Sequence, residues 1–104
     1  MELKKLQKEI YKNKVNKGFN VTDIHLEFCY LHEELAEAFR AYHTSADNLP
    51  DELADVAIFL LGISEILGID LEKEIARKVA QNKKRKVKKV NGFTVHAKDE
   101  SVSV

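Results

Sequence analysis

Two pairs of acidic residues each share one face of a predicted helix. Glu34 and Glu37 are three positions apart, and so are Glu52 and Asp55. Side chains three or four residues apart on a helix are neighbours. If the two helices are adjacent and antiparallel, all four carboxylates meet at their interface. Carboxylates at the border of a core need a counter-charge or keep their protons, because a buried charge without a partner is costly.

The surrounding sequence offers these acids almost no basic partner. Between Thr22 and Ile69 there are 10 acidic residues and one basic residue, Arg40. A ligand set made only of carboxylate oxygens, without histidine or cysteine, favours Mg²⁺, or alternatively Mn²⁺, over zinc. The sequence therefore predicts a divalent-cation site, and the competing interpretation is a set of solvated acids on exposed helix faces.

A second polar stripe lies nearer the C-terminus. Lys78, Asn82 and Arg85 are spaced four and three residues apart, so they line up on one helix face. Two cations and an amide can hold phosphate oxygens. Taken alone, the stripe is typical of a solvated basic face, whereas beside a metal site it favours phosphate binding.

Apolar periodicity and capping residues predict four helices with short loops, which indicates an all-α antiparallel helical bundle. Thr22 is the predicted cap of the second helix, and Pro50 with Asp51 marks the start of the third. The Asn-Gly pair at 91–92 predicts a short C-terminal hairpin. The predicted helices cover residues 2–16, 23–42, 51–67 and 71–86. We expect residues 1–96 to form a single domain and residues 97–104 a flexible tail.

The predicted apolar surface is large for a monomer of this length. Residues 56–63 are apolar nearly all round, which is hard to bury within 104 residues. The second helix carries an apolar seam with spacing 4, 3, 4, 3, 4, formed by Ile24, Phe28, Leu31, Leu35, Ala38 and Tyr42. We therefore expect a homodimer or homotetramer.

Composition narrows the class of protein. No run of 18 apolar residues occurs, so no membrane span is expected, and the charged N-terminus does not resemble a signal peptide. The single cysteine, Cys29, excludes an intramolecular disulfide, which favours a cytoplasmic location. Its apolar neighbours predict that Cys29 is a small core residue.

Charge is distributed unevenly along the chain. Residues 22–74 contain 13 acidic and 2 basic residues, whereas residues 77–90 contain 8 basic residues and no acid. Such asymmetry indicates either internal pairing or an anionic partner. One alternative for the whole protein is therefore a helical module that binds nucleic acid through residues 77–90, although the acidic centre makes nucleic acid an unfavourable partner.

The order of the acids resembles a known motif. The segment EELAE at 33–37, a gap of 14 residues and ELAD at 52–55 are similar to the EExxE and ExxD motifs of MazG-like nucleoside triphosphate pyrophosphohydrolases, members of the all-α NTP pyrophosphatase superfamily. KVAQNKKR at 78–85 resembles the family's K-x-x-x-N-x-x-R segment. The resemblance covers residues 31–85, about half the chain.

This resemblance implies a role for each matching residue. Glu33 would orient or deprotonate the attacking water, or would support the metal ligands. Phosphate contacts would come from Lys78, Asn82 and Arg85. Mg²⁺ would be bound by Glu34, Glu37, Glu52 and Asp55. The family also implies a dimer or tetramer with sites between subunits.

The resulting prediction is Mg²⁺-dependent hydrolysis of a nucleoside triphosphate, canonical or not, to the monophosphate and pyrophosphate. Phosphoribosyl-ATP hydrolysis within the superfamily, and a metal-stabilised assembly protein without turnover, stay open as alternatives. Lys86 stands where the family often has an aromatic residue, and the chain has no tryptophan. Base stacking would then fall to Phe19, Phe39, Tyr42 or Tyr11, so the preferred base stays open.

Overall fold

The computed structural model describes residues 2–85, 87–90 and 92–96, which form four helices followed by a β-hairpin. The elements are α1 (Leu3–Asn16), α2 (Ile24–His43), α3 (Leu49–Ile66), α4 (Leu71–Lys84), β1 (Val87–Val90) and β2 (Phe93–His96). The predicted all-α helical fold is confirmed. No helix in these ranges has the length and apolar character that crossing a bilayer requires.

The chain divides into two compact units, residues 1–72 and 73–104. The single-domain boundary at residue 96 stays a prediction. The predicted flexible tail, 97–104, lies outside the described residues.

In the first unit, α3 packs against both α1 and α2. Its residues 61–64 are buried, and the contacting face of α2 contributes the buried alanines Ala38 and Ala41. At Gly62, a side-chain Cβ would lie 3.6 Å from Ile10 Cγ2 and 3.7 Å from Lys14 Cδ. These are ordinary van der Waals distances, so α3 lies against α1 at this glycine.

Asparagine and aspartate together set the start of α2. Asp23 is the N-cap, because its Oδ1 accepts the Leu26 N–H at 3.1 Å. Asn20 Oδ1 accepts the N–H groups of Thr22 at 3.4 Å and of Asp23 at 3.1 Å. The predicted cap, Thr22, is wrong by one residue because Thr22 belongs to the turn that Asn20 closes.

A buried glutamine joins α1 to the turn between α3 and α4. Gln7 is 2% exposed, and its Nε2 donates to Glu65 Oε1 at 3.1 Å and to the Ile69 carbonyl at 2.6 Å. Its Oε1 accepts the N–H of Leu71, the first residue of α4, at 3.4 Å. The side chain thus satisfies one of the backbone donors that a helix start leaves without an intrahelical partner.

Much of the predicted apolar seam of α2 is exposed in the single chain. Ala38 is buried, but Leu35 and Tyr42 are 55% and 69% exposed. Phe39 is 65% exposed as well. Cys29 is also exposed, so its assignment to the core is wrong. A single chain therefore leaves much of the apolar surface of α2 exposed.

The second unit contains the predicted hairpin. Strands β1 and β2 pair antiparallel, with Val87 opposite His96 and Val90 opposite Phe93. Gly92 has a φ of 83°, the left-handed conformation that two-residue hairpin turns require.

The Gln7 network predicts a loss of stability when the amide is removed. In Gln7→Met, the Leu71 N–H and the Ile69 carbonyl lose their buried partner, so the free energy of unfolding should fall by about 2 kcal/mol. Urea denaturation followed by circular dichroism measures this difference. Lys8→Met, an exposed change on the same helix, is the matched control. Equal stability of the two variants would show that the network contributes nothing.

Candidate metal centre

Three carboxylates of α2 and α3 converge on one point. One oxygen each of Glu34, Glu37 and Glu52 lies within 4.8 Å of the other two. All three residues are half-buried. The structure therefore brings together three of the four acids that the sequence predicts as metal ligands.

Local structure explains why these side chains meet. Glu34 and Glu37 share a face of α2, and Glu52 lies in the first turn of α3, after Pro50. The positive end of the α3 dipole favours a carboxylate at this place. Asn48 Nδ2 donates to Glu52 Oε1 at 3.0 Å, which orients the carboxyl group.

The turn between the helices holds the two acid pairs in register. Thr44 Oγ1 donates to the Arg40 carbonyl at 2.8 Å, and the Ala46 N–H donates to the Ala41 carbonyl at 2.8 Å. Ser45 adopts a left-handed φ of 55°, which is common just after a helix C-terminus. The backbone thus reverses direction within a few residues and returns α3 along α2.

Electrostatics at the cluster favour protonated carboxyl groups. Burial raises the pKa of Glu34, and the charges of Glu37, Asp55 and Glu52 raise it further. Burial also raises the pKa of Glu52, followed by the charges of Glu37 and Asp55. Hydrogen bonding with Glu37 acts in the same direction on both groups.

Two oxygens of the cluster are left without a partner. Glu34 Oε2 and Glu52 Oε2 are buried, and neither has a hydrogen-bond partner in the described part of the chain. Buried oxygens of this kind normally accept a hydrogen bond or coordinate a cation. With only carboxylate donors, the cluster fits a hard divalent cation such as Mg²⁺ or Mn²⁺.

The remaining predicted residues are placed differently. Asp55 is exposed and outside the set of three, but its charge acts on both Glu34 and Glu52. Glu33 is exposed beside them on α2. The second unit holds the three residues whose phosphate-binding role stays a prediction. Lys78 and Asn82 are exposed, and Arg85 is half-buried.

A buried ion pair two helical turns from the cluster is absent from the sequence-based predictions. Glu27 is 1% exposed and forms a hydrogen-bonded ion pair with Lys14 of α1. Asn20 Nδ2 donates to the other carboxylate oxygen of Glu27 at 3.1 Å. Glu27 precedes Glu34 by seven residues and so lies on the same helix face, but this spacing does not indicate that its partner is Lys14.

The raised pKa values predict an unusual pH dependence of stability without metal. A carboxyl group whose folded pKa is raised contributes stability below its unfolded pKa, and this contribution is lost as pH rises through the folded pKa. Glu52→Gln, which mimics the protonated group, avoids that loss. The variant should therefore become more stable than the wild type as pH rises above 4.5 toward neutrality.

Urea denaturation at several pH values, in the presence of a chelator, measures the difference. Glu9→Gln, an exposed change on α1, is the control. Excess divalent cation should reverse the order, because it binds the wild-type carboxylates more tightly. A stability difference that does not vary with pH would contradict the assigned repulsion.

Comparisons with known proteins agree with the geometry. The model of the MazG-like family matches residues 19–99. No curated protein matches the chain.

Among solved structures, a similar one is a cyanophage S-2L MazG-like pyrophosphohydrolase bound to dGDP and three catalytic Mn²⁺ ions per active site. The TM-score is 0.69 at 27% identity, and the alignment covers 94% of this chain and 99% of that chain. The family and this relative together bear out the predicted enzyme class, a nucleotide pyrophosphohydrolase. Because the family model spans most of the sequence, the chain belongs to the MazG-like family, as its two acidic motifs predicted.

Proposed function

We propose that the protein hydrolyses a nucleoside triphosphate to the monophosphate and pyrophosphate in the cytoplasm, with Mg²⁺ as its cofactor and Mn²⁺ as a substitute. The observation that carries this proposal is the convergence of Glu34, Glu37 and Glu52, with two buried oxygens left without a hydrogen-bond partner among the described residues. The relative bound to dGDP and Mn²⁺ supports a nucleotide substrate and a divalent cofactor.

The acids create the binding site for the cation. Glu34, Glu37 and Glu52 would hold it, and Asp55 would supply a fourth carboxylate from the next turn of α3. When bound, the cation neutralises phosphate oxygens and lowers the pKa of a water molecule. Without it, the same carboxylates would repel the polyphosphate of the substrate.

The other predicted residues handle the proton and the leaving group. Glu33 accepts a proton from the attacking water, whose oxygen forms a bond to the α-phosphorus. The bond between the α-phosphorus and the bridging oxygen breaks, and pyrophosphate leaves. Lys78 and Arg85 stabilise the charge that develops on pyrophosphate, and the Asn82 amide donates to a phosphate oxygen.

A second copy of the chain completes the assembly. Leu35, Phe39 and Tyr42 of α2 and Leu53 of α3 are each more than half exposed and line one groove of about 340 Å³. A contiguous apolar surface of this kind is typical of an interface between proteins. The family resemblance implies a dimer or tetramer, so the oligomeric state that we propose is a homodimer or homotetramer.

A panel of canonical and modified nucleoside triphosphates, incubated with Mg²⁺, with Mn²⁺ and without metal, tests the reaction. We expect monophosphate and pyrophosphate, separated by chromatography, only when metal is present. Glu34→Gln and Asp55→Asn should each lower kcat at least about a hundredfold, the loss expected when a metal site is disrupted.

Circular dichroism establishes that these variants fold, and Asp47→Asn in the exposed loop is the matched control. Diphosphate and phosphate as products would refute the assigned cleavage position. Absence of turnover across the panel would refute the enzyme assignment. Undiminished activity of either variant would remove that acid from the cation site.

Oligomerisation can be tested separately by light scattering coupled to gel filtration. The wild type should have at least twice the chain mass of 11.9 kDa, whereas Phe39→Asp should weaken association because it buries a charge in the interface. Lys12→Asp on α1 places the same charge outside the proposed interface. A wild-type mass of 11.9 kDa would contradict the proposal.

A further inference from the structure

Between the same helices that carry the acidic cluster and α1, the first unit contains a cavity to which the proposed reaction assigns no role. It has two adjoining lobes of about 410 and 270 Å³, which share Lys14, Phe19 and Phe59. The larger lobe is mostly apolar, and the smaller one adds Asn20, Glu27 and Tyr30. Apolar walls with a few polar groups are characteristic of small-molecule sites.

The cavity continues along the helices that carry the acids. Glu27 precedes Glu34 by seven residues, about 10 Å along α2 at a rise of 1.5 Å per residue. Phe59 follows Asp55 by four residues, one turn along α3. A ligand whose phosphates lie at the acids can therefore extend its other end into this cavity.

Aromatic rings line the place where that end would lie. Tyr30 and Phe59 have ring centroids 5.9 Å apart with an interplanar angle of 58°. Phe19 lines both lobes and is 56% exposed. Aromatic side chains in such sites stack on nucleobases, whichever base is present. The rings account for binding of a base but not for the choice of base.

The polar groups of the smaller lobe can make that choice. Glu27 accepts hydrogen bonds from Lys14 and Asn20, whereas a carboxylate has about four acceptor positions. Lys14 has three donors, and in the described residues only Glu27 accepts from it, while Phe59 offers a ring face 5.3 Å away. A buried ion pair is weakly stabilising unless further hydrogen bonds satisfy it, and a bound base can supply them.

We propose, on the basis of the proposed function, that this cavity binds the substrate's base and that Lys14 and Glu27 select bases with a ring N–H beside a carbonyl. Guanine, hypoxanthine, thymine and uracil have this arrangement. Glu27 accepts the ring N–H, and Lys14 donates to the carbonyl oxygen. Asn20 Nδ2 already donates to the Asp23 carbonyl at 2.8 Å and to Glu27, so its role is to orient the carboxylate. Adenine and cytosine instead present a ring-nitrogen acceptor to the carboxylate, so two acceptors would face each other.

Binding of nucleosides without phosphate to the metal-free protein tests the pocket directly. The ¹⁵N–¹H signals of the Asn20 side-chain amide report occupancy, and Asn20→Ala identifies them. Deoxyguanosine and thymidine should bind at least about tenfold more tightly than deoxyadenosine and deoxycytidine, as one well-placed hydrogen bond provides. Equal binding of the four nucleosides, or none, would overturn the proposal.

Variants of the ion pair test the assignment of selectivity. Glu27→Gln adds an amide donor where a ring acceptor would lie, so the preference should fall at least about tenfold, in nucleoside binding and in kcat/KM. If this variant does not fold, the double variant Lys14→Met and Glu27→Gln avoids an unpaired charge. Lys12→Met is the control. An unchanged preference in a folded variant would overturn the selective role of the pair.

The two proposals fail in distinguishable ways. Selective nucleoside binding without hydrolysis of any triphosphate would refute the reaction and support the pocket. Hydrolysis without base selectivity would refute the pocket and support the reaction.

Discussion

Repulsion among Glu34, Glu37 and Glu52 acts across the same interface that holds α2 against α3. One oxygen of each lies within 4.8 Å of the others, and their charges raise the pKa values of Glu34 and Glu52. The interface must therefore draw its stability from elsewhere, and buried apolar residues such as Ala38 and Ala41 contribute to it. The acids at this interface lower the stability of the metal-free protein. Such a cost in stability is typical of residues whose role is binding.

Two polar side chains tie helix α1 to the other helices. Gln7 and Lys14 lie seven residues apart, hence on one face of the helix. The first reaches the turn before α4, and the second pairs with Glu27 on α2. Directional contacts at two points fix both the rotation and the axial position of α1, which a smooth apolar face would fix less strictly.

The helices and the acidic cluster could be predicted from the sequence because both depend on local periodicity. Spacings of three and four residues state which side chains share a helix face, and the short loop at 44–48 makes α2 and α3 neighbours. The Lys14–Glu27 ion pair could not be predicted from the sequence. It joins two helices across a turn, and no local pattern indicates which of the many charged residues meet. The α2 cap is hard to assign because Thr22 and Asp23 both have capping side chains, and only the contact of Asn20 decides between them. The exposure of Leu35 and Tyr42 could not be predicted either. Periodicity identifies an apolar helix face, but it does not show whether that face packs within the same chain or against another chain.

The raised pKa values at the cluster have a consequence for how the site is filled. A carboxyl group with a raised pKa holds its proton to higher pH, so a cation must displace protons when it enters. If the proposed cation binds at Glu34 and Glu52, its uptake would be an exchange reaction that acidifies an unbuffered solution. At a fixed concentration of free metal, occupancy would rise as the medium becomes more alkaline. Local acidity thereby competes with the metal for the same oxygens.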